Sequence, residues 1–263
     1  MAISLETLQE STPEAILMLL YGVQGIGKTD LGTRFPDCVF LCSEKGFGKK
    51  KGIPYWKMKS YSDYLEAISV LFTEEHGFKN VVLDTVTSAE HIVNDQLLED
   101  WGESSLDKVG VNGGGFYKWR IEALSLWVQI LEGLEALRTE RKMNIILLGH
   151  STDKEERPPD NDPYRKYTLD LLNKEATNYI YRWVDVIGFY NYHIRTIKVG
   201  KGKTEKTRAK GEGTRTMYLT ERPFAYAKNR CFDDPKEIVM TDYGDKFFEL
   251  FGLANKKTTR KKT

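Results

Sequence analysis

The sequence predicts an α/β fold: a mostly parallel, five-stranded central sheet flanked by helices, with a C-terminal β-hairpin extension. Three observations predict it. Apolar runs at residues 15–21, 38–42, 80–84, 144–149 and 183–190 have the length and continuous apolarity of strands covered on both faces. Between them lie segments whose apolar residues recur three and four apart, the period of helices. The first run leads into Gly22-Val23-Gln24-Gly25-Ile26-Gly27-Lys28-Thr29, which reads G-x-x-x-x-G-K-T in a strand, loop, helix context.

That stretch reads as a phosphate-binding loop, a P-loop. Gly22, Gly25 and Gly27 let the backbone turn its amide groups inward, where side chains would block a phosphate. A helix beginning near Lys28 adds unsatisfied N–H groups and the positive end of its dipole. Gly22, Val23, Gln24, Gly25, Ile26, Gly27, Lys28, Thr29 and Asp30 are therefore the candidate nucleotide-binding residues. Lys28 is expected to reach the β- and γ-phosphates, and the Thr29 hydroxyl to bind Mg²⁺.

Composition narrows the class. The chain has 263 residues, 40% hydrophobic and 29% charged, the balance of a soluble globular protein rather than a disordered or membrane one. A single domain is expected over residues 1–255, with a core at about 15–190 and a hairpin extension at about 191–240, followed by a basic tail at 256–263. No apolar run approaches the roughly 20 residues of a spanning helix, and residues 1–13 lack the basic-then-apolar order of a signal peptide. A cytoplasmic protein without a membrane contact is expected. Cys38, Cys42 and Cys231 are odd in number and lack the partners of a zinc site, so they read as reduced thiols. The net charge of +1 is unevenly spread. Residues 195–215 hold eight Lys/Arg, Lys201, Lys203, Lys206, Arg208, Lys210 and Arg215 among them, against Glu205 and Glu212. Such a cluster suits a polyanion or a solvated loop.

Taken in order, the first helix should end before Pro36, because the residue preceding a proline is pushed out of the helical region. The run 38–42 then delivers Glu44 to the edge of the sheet where ligands sit, either as a carboxylate that positions an attacking water or as a surface turn residue. Residues 56–60 suggest a short strand. A helix is expected from Asp63, with Glu66 closing a capping box and Leu65, Ile68, Leu71 and Phe72 as its apolar stripe. Residues 80–84 end in Asp84, the second acidic element of a P-loop site and a Mg²⁺ partner. A helix with Ile92, Val93, Leu97 and Leu98 follows, then a glycine-rich loop over 102–115.

Lys108 lies in that loop, and Phe116, Tyr117, Lys118, Trp119 and Arg120 interleave aromatics with cations just after it. They suit base stacking and phosphate contact, or else begin the next helix and face the core. That helix carries Leu124, Trp127, Val128, Leu131 and Leu134. The run 144–149 ends at His150, which either senses a γ-phosphate or only caps the strand. Residues 152–166 read as a polar loop with three prolines. A helix over 169–182, a strand over 183–190, a hairpin of 192–199 with 214–220, and a strand over 224–230 complete the chain.

The order of these parts resembles the RecA-like P-loop phage ATPases linked to single-strand annealing and recombination, over about residues 16–238. The carriers are Gly22 to Thr29, Leu41-Cys-Ser-Glu-Lys-Gly46, Val81-Val-Leu-Asp-Thr85, Leu148-Gly-His-Ser151 and Ala227-Lys-Asn-Arg230. The absence of a glutamate after Asp84 fits the branch that takes its catalytic carboxylate from the neighbouring strand. The resemblance implies that Glu44 activates water and that His150 senses the γ-phosphate. It implies that Lys228 and Arg230 reach into a neighbouring subunit's site, and that DNA-facing loops lie at about 102–118 and 152–167. Asp30 departs from the pattern, since a second hydroxyl residue is frequent there, and so does the acidity of the second loop.

The function expected is a Mg²⁺-dependent ATPase that assembles as a homo-oligomer on single-stranded DNA, with a single-strand-binding protein as a further partner. The alternative is an ATP-switched loader or scaffold acting on a replication or recombination protein. A phosphotransferase of nucleotide metabolism is disfavoured by the long glycine loop and the Lys-x-Arg strand.

Overall fold

The P-loop strand β1, Leu17–Gly22, is buried at every residue. It lies inside the sheet, paired in parallel with β5 (Asn144–Glu156) on one side and β7 (Val186–Val199) on the other. The structure is a computed structural model. It describes residues 14–110, 115, 117–199, 206–233, 237–240 and 245–251, with the side chains of 194–199, 206–212 and 245 left aside.

The remaining strands of the main sheet are β2 (Cys38–Cys42), β3 (Tyr55–Lys57), β4 (Asn80–Asp84), β8 (Lys206–Tyr218) and β10 (Glu237–Val239). Their order is β10-β8-β7-β1-β5-β4-β2-β3. From β7 to β3 all neighbours are parallel, whereas β8 and β10 are antiparallel. The parallel part therefore has six strands rather than the expected five, the sixth being the short edge strand β3.

Alternate residues of the central strands serve opposite layers, as the strand period of two requires. Leu17, Leu19, Tyr21, Val81, Leu83, Ile145 and Leu147 pack with α2 (Tyr61–Thr73), α3 (Val86–Trp101), α4 (Trp119–Glu140) and α5 (Lys174–Trp183). Met18, Leu20, Val82, Ile146 and Leu148 face the other layer, with α1 (Lys28–Gly32) and α6 (Asp245–Glu249).

Several boundaries differ from expectation. Helix α2 begins at Tyr61, not Asp63, because Ser60 is its N-cap. The Ser60 hydroxyl accepts the Asp63 N–H at 3.3 Å, and the Asp63 carboxylate accepts the Ser60 N–H at 2.9 Å. The capping box is thus Ser60/Asp63, and Glu66 has no part in it. The buried face follows the new start: Tyr61, Tyr64, Ala67, Ile68 and Leu71 are inside, and Phe72 is exposed. Ser60→Ala should lower stability by about 1 kcal/mol, read as a shifted urea midpoint at unchanged slope.

The polar stretch after His150 is not a loop. Strand β5 runs on to Glu156, and residues 151–156 pair antiparallel with β6 (Tyr164–Leu169), leaving only 157–163 as the turn that holds the prolines. Helix α5 accordingly starts at Lys174. Asn173 caps it, its side chain accepting the N–H groups of Glu175 and Ala176 at 3.0 and 3.2 Å. Strand β7 is one continuous element that serves first as a core strand and then, past an irregularity at Tyr192/Ile194, as one arm of the hairpin with β8. The expected strand over 224–230 shrinks to β9, Lys228–Asn229, paired with Val186 and Ile187 of β7. No helix among the described residues is long and apolar enough to cross a membrane. The basic tail lies outside the described residues.

Candidate functional site

The C-terminal ends of β1, β2, β4 and β5 meet at one sheet edge, because the registers align Gly22 with His150, Asp84 with Leu148, and Cys42 with Asp84. Strand β5 lies between the P-loop strand and the Asp84 strand. His150 is consequently delivered between Lys28 and Glu44.

Two glycines of the loop are dictated by geometry. A Cβ on Gly22 would lie 2.0 Å from the Tyr190 carbonyl oxygen of the neighbouring strand. Gly27, with φ of 102°, caps α1 in a left-handed conformation that favours glycine. Inside this loop Lys28 is only 6% exposed. Its ammonium donates to the carbonyls of Gly22 at 2.9 Å and Val23 at 3.1 Å, and faces His150 Nδ1 at 3.3 Å. Burial pulls its pKa down to about 8, against the pull of Glu44 and Asp84. It is therefore still mainly a cation at neutral pH.

An ammonium has only protons to give, so the Nδ1 it faces is the acceptor and the ring proton sits on Nε2. That Nε2 donates to Glu44 Oε1 at 2.8 Å. The same oxygen also accepts the Thr85 hydroxyl at 2.7 Å and the Ser88 hydroxyl at 2.9 Å. The result is a continuous chain, Lys28 to His150 to Glu44. Its backbone is held too, since the His150 N–H donates to Thr87 Oγ1 at 3.0 Å. The hydrogen bond from His150, then those from Thr85 and Ser88, pull the Glu44 carboxyl from its ordinary 4.5 to about 2, although burial opposes them.

Next to this chain, the Thr29 hydroxyl donates to Asp84 Oδ2 at 2.8 Å. Asp84 is 3% exposed, and its Oδ1 is buried without a hydrogen-bond partner. A hydroxyl beside a carboxylate with one unsatisfied buried oxygen is the donor set a hard, oxygen-seeking cation takes. The residues present thus fit a Mg²⁺ ion. Burial raises the Asp84 pKa, the direction expected of a carboxylate whose charge calls for a cation.

These shifts have opposite consequences for stability. Glu44, depressed, contributes stability that is present above its ordinary pKa and is lost as pH falls through the folded value. Asp84, raised, does the reverse: its ionisation costs stability. So does Glu90, a carboxylate of α3 that is 3% exposed, accepts the N–H groups of Leu172 and Asn173 at 2.8 Å each, and is raised by burial. Glu44→Gln should therefore be less stable than the parent at about pH 7, and the gap should close as pH falls from about 4.5 to about 2. Denaturant titrations along that pH range would check it.

Other sequence candidates are sorted by the structure. Asp30 is ion-paired with Lys50, so its charge is already compensated. Trp119 is 5% exposed and packs in the core under α4, which removes it from any base-stacking surface. Tyr117 is 58% exposed, with the Arg120 guanidinium 3.9 Å above its ring. Lys118 and Lys108 are exposed, and the Lys108 ammonium donates to Ser104 Oγ at 3.4 Å. Phe116, Lys201 and Lys203, and the side chains of Lys206, Arg208 and Lys210, lie outside the described residues. The hairpin after His150 pairs Asp153 with Arg165, Glu155 with Arg157 and Lys154 with Glu156 within itself, and Lys166 with Glu221 outside it.

The Lys228 ammonium donates to the carbonyls of Tyr181 at 2.8 Å, Arg182 at 3.3 Å and also Val184, closing the C-terminus of α5. In the single chain it caps that helix, whereas the expectation placed it in a neighbouring subunit's site. Arg230 is exposed. Thr85 and Ser88 were missed by sequence reasoning, although a hydroxyl at an N-cap followed three residues later by another is a readable signal after an acidic strand. Arg215 was legible only as a member of the basic cluster, and its place beside Gly27 had no local signal.

Glycine loop, buried lysine and hydroxyl–carboxylate pair on one sheet edge together define a P-loop nucleoside-triphosphate site. The chain belongs to the family described as AAA domain (AAA_24), which matches residues 14–231. Among solved structures it is similar to the crystal structure of the RadB recombinase, at 15% identity over 88% of this chain and 90% of that one, with a TM-score of 0.44. No curated protein matches the sequence.

Proposed function

We propose that this protein is a Mg²⁺-dependent ATPase that binds single-stranded DNA and supports annealing or homologous recombination in phage DNA metabolism, acting as a homo-oligomer in the host cytoplasm. The observation that carries the reading is the chain from Lys28 through His150 to Glu44, beside the Thr29–Asp84 pair. ATP with Mg²⁺ supplies the phosphoryl group to be transferred and the divalent charge that neutralises it. Thr29 and Asp84 hold the metal side. Lys28 trades the Gly22 and Val23 carbonyls for phosphate oxygens, and in doing so changes what His150 Nδ1 faces. His150 passes that change to Glu44, the carboxylate that orients water. It also passes it along its own strand into the β5–β6 hairpin. Tyr117 with Arg120, and the basic arm of β7 and β8, are the surfaces suited to nucleic acid, with a single-strand-binding protein as a further partner.

One observation favours the second reading, an ATP-switched loader acting on a replication or recombination protein. The hairpin that continues the His150 strand is ion-paired rather than offering free cations. A protein surface suits it better than a phosphate backbone.

The test is ATP turnover with and without single-stranded DNA across a salt series, with Lys28→Ala as the blank. Stimulation that fades steeply with salt is expected for phosphate contacts. Turnover indifferent to DNA but abolished in Lys28→Ala moves the conclusion to the protein-partner switch.

A further inference from the structure

Arg215 enters the P-loop from a distant part of the chain. On β8 it pairs with Tyr192 of β7, just past the Gly22–Tyr190 register where β7 leaves the P-loop strand. Its positive charge lies close enough to the Tyr190 hydroxyl to oppose the upward pull of burial on that group. One of its nitrogens lies 2.9 Å from where a Cβ of Gly27 would stand, and the Asp30 Cβ is 3.9 Å from the same point. Gly27 has no side chain to keep this cation off the loop backbone. Arg215 is an exposed residue, and a guanidinium carries five N–H donors.

The charge of the site calls for such a group. Lys28 stands close to the two carboxylates Glu44 and Asp84, Lys50 is ion-paired with Asp30, and the Lys57 ammonium donates to the Glu44 carbonyl. A magnesium triphosphate brings further negative charge to this edge, and Arg215 is a cation placed against the loop that would hold it. A cation placed there attracts phosphate oxygens by charge-assisted hydrogen bonding.

We propose that Arg215 is a phosphate-binding residue for the nucleoside triphosphate, supplied in cis by the β7–β8 arm to the outer wall of the P-loop at Gly27. This rests on the ATP-binding reading above. It makes the basic arm and the nucleotide share one strand pair, so that occupancy of the P-loop bears directly on the root of the arm.

The test is the affinity of full-length protein for N-methylanthraniloyl-ATP, by fluorescence titration, in the parent, Lys28→Ala, Arg215→Gln and Arg215→Lys. Glutamine keeps a polar side chain but drops the charge, whereas lysine keeps the charge. Arg215→Gln should bind about tenfold or more weakly, and Arg215→Lys within about threefold of the parent, both melting like the parent. Parental affinity in Arg215→Gln, or equal losses in the glutamine and lysine variants, overturns the proposal. A parent that fails to bind the analogue, or binds it no better than Lys28→Ala, overturns instead the ATP reading on which it stands.

Discussion

Replacing Glu44 by glutamine should slow ATP turnover by about 10²- to 10⁴-fold while leaving nucleotide affinity within about threefold of the parent. The amide oxygen can still accept from His150, Thr85 and Ser88, whose donors all converge on Oε1. The site should therefore keep its shape. What disappears is the negative charge that draws a proton of the attacking water. A carboxyl held near pH 2 is protonated only about once in 10⁵ at neutral pH, which makes it a poor resting place for that proton. The part proposed for it is to orient water by charge and hydrogen bond. Single-turnover hydrolysis and analogue binding on the same preparation separate the two quantities. A loss of affinity matching the loss of rate would mean that Glu44 holds the site together and does not act on water.

The residues that make this site were legible to different depths. The ends of β1, β2 and β4 could be read because those strands are buried on both faces and so are continuously apolar. The point where each apolar run stops, at Gly22, after Cys42 and at Asp84, then stands out. His150 could be placed for the same reason, but the strand beyond it could not. Ser151 to Glu156 are polar and poor strand formers, and they are extended only because β6 pairs with them over residues 164–169 and Arg165 meets Asp153. That pairing is tertiary and leaves no local period. Tyr117 and Trp119 are two positions apart in sequence, yet one is exposed and the other buried, because α4 starts between them. Arg215 is the extreme case. Its place against Gly27 depends on the register of β8 on β7, a hairpin whose arms can be read but whose register cannot, and on the pairing of β7 with β1, which no stretch of sequence announces.

The Lys-x-Arg pair also divides, and Arg230→Ala should lower turnover of the assembled protein by about 10³-fold or more, the effect of an arginine supplied in trans. Lys228 is committed to three carbonyls at the end of α5 within its own subunit. Its replacement by alanine should chiefly cost stability, about 0.3 to 2 kcal/mol for a lost cation at a helix C-terminus. Arg230 has no hydrogen bond or ion pair among the described residues and is exposed, so its removal should leave the melting temperature unchanged. Mixing distinguishes a group acting in trans from one acting at home. Lys28→Ala subunits have a dead P-loop but an intact Arg230, whereas Arg230→Ala subunits have the converse. Each alone should be nearly inactive, and together they should recover a fraction of the parental rate that rises with protein concentration. Failure of the mixture to recover, with both variants folded and assembling, would place Arg230 outside the neighbouring site and leave Arg215 as the arginine through which this chain completes its own.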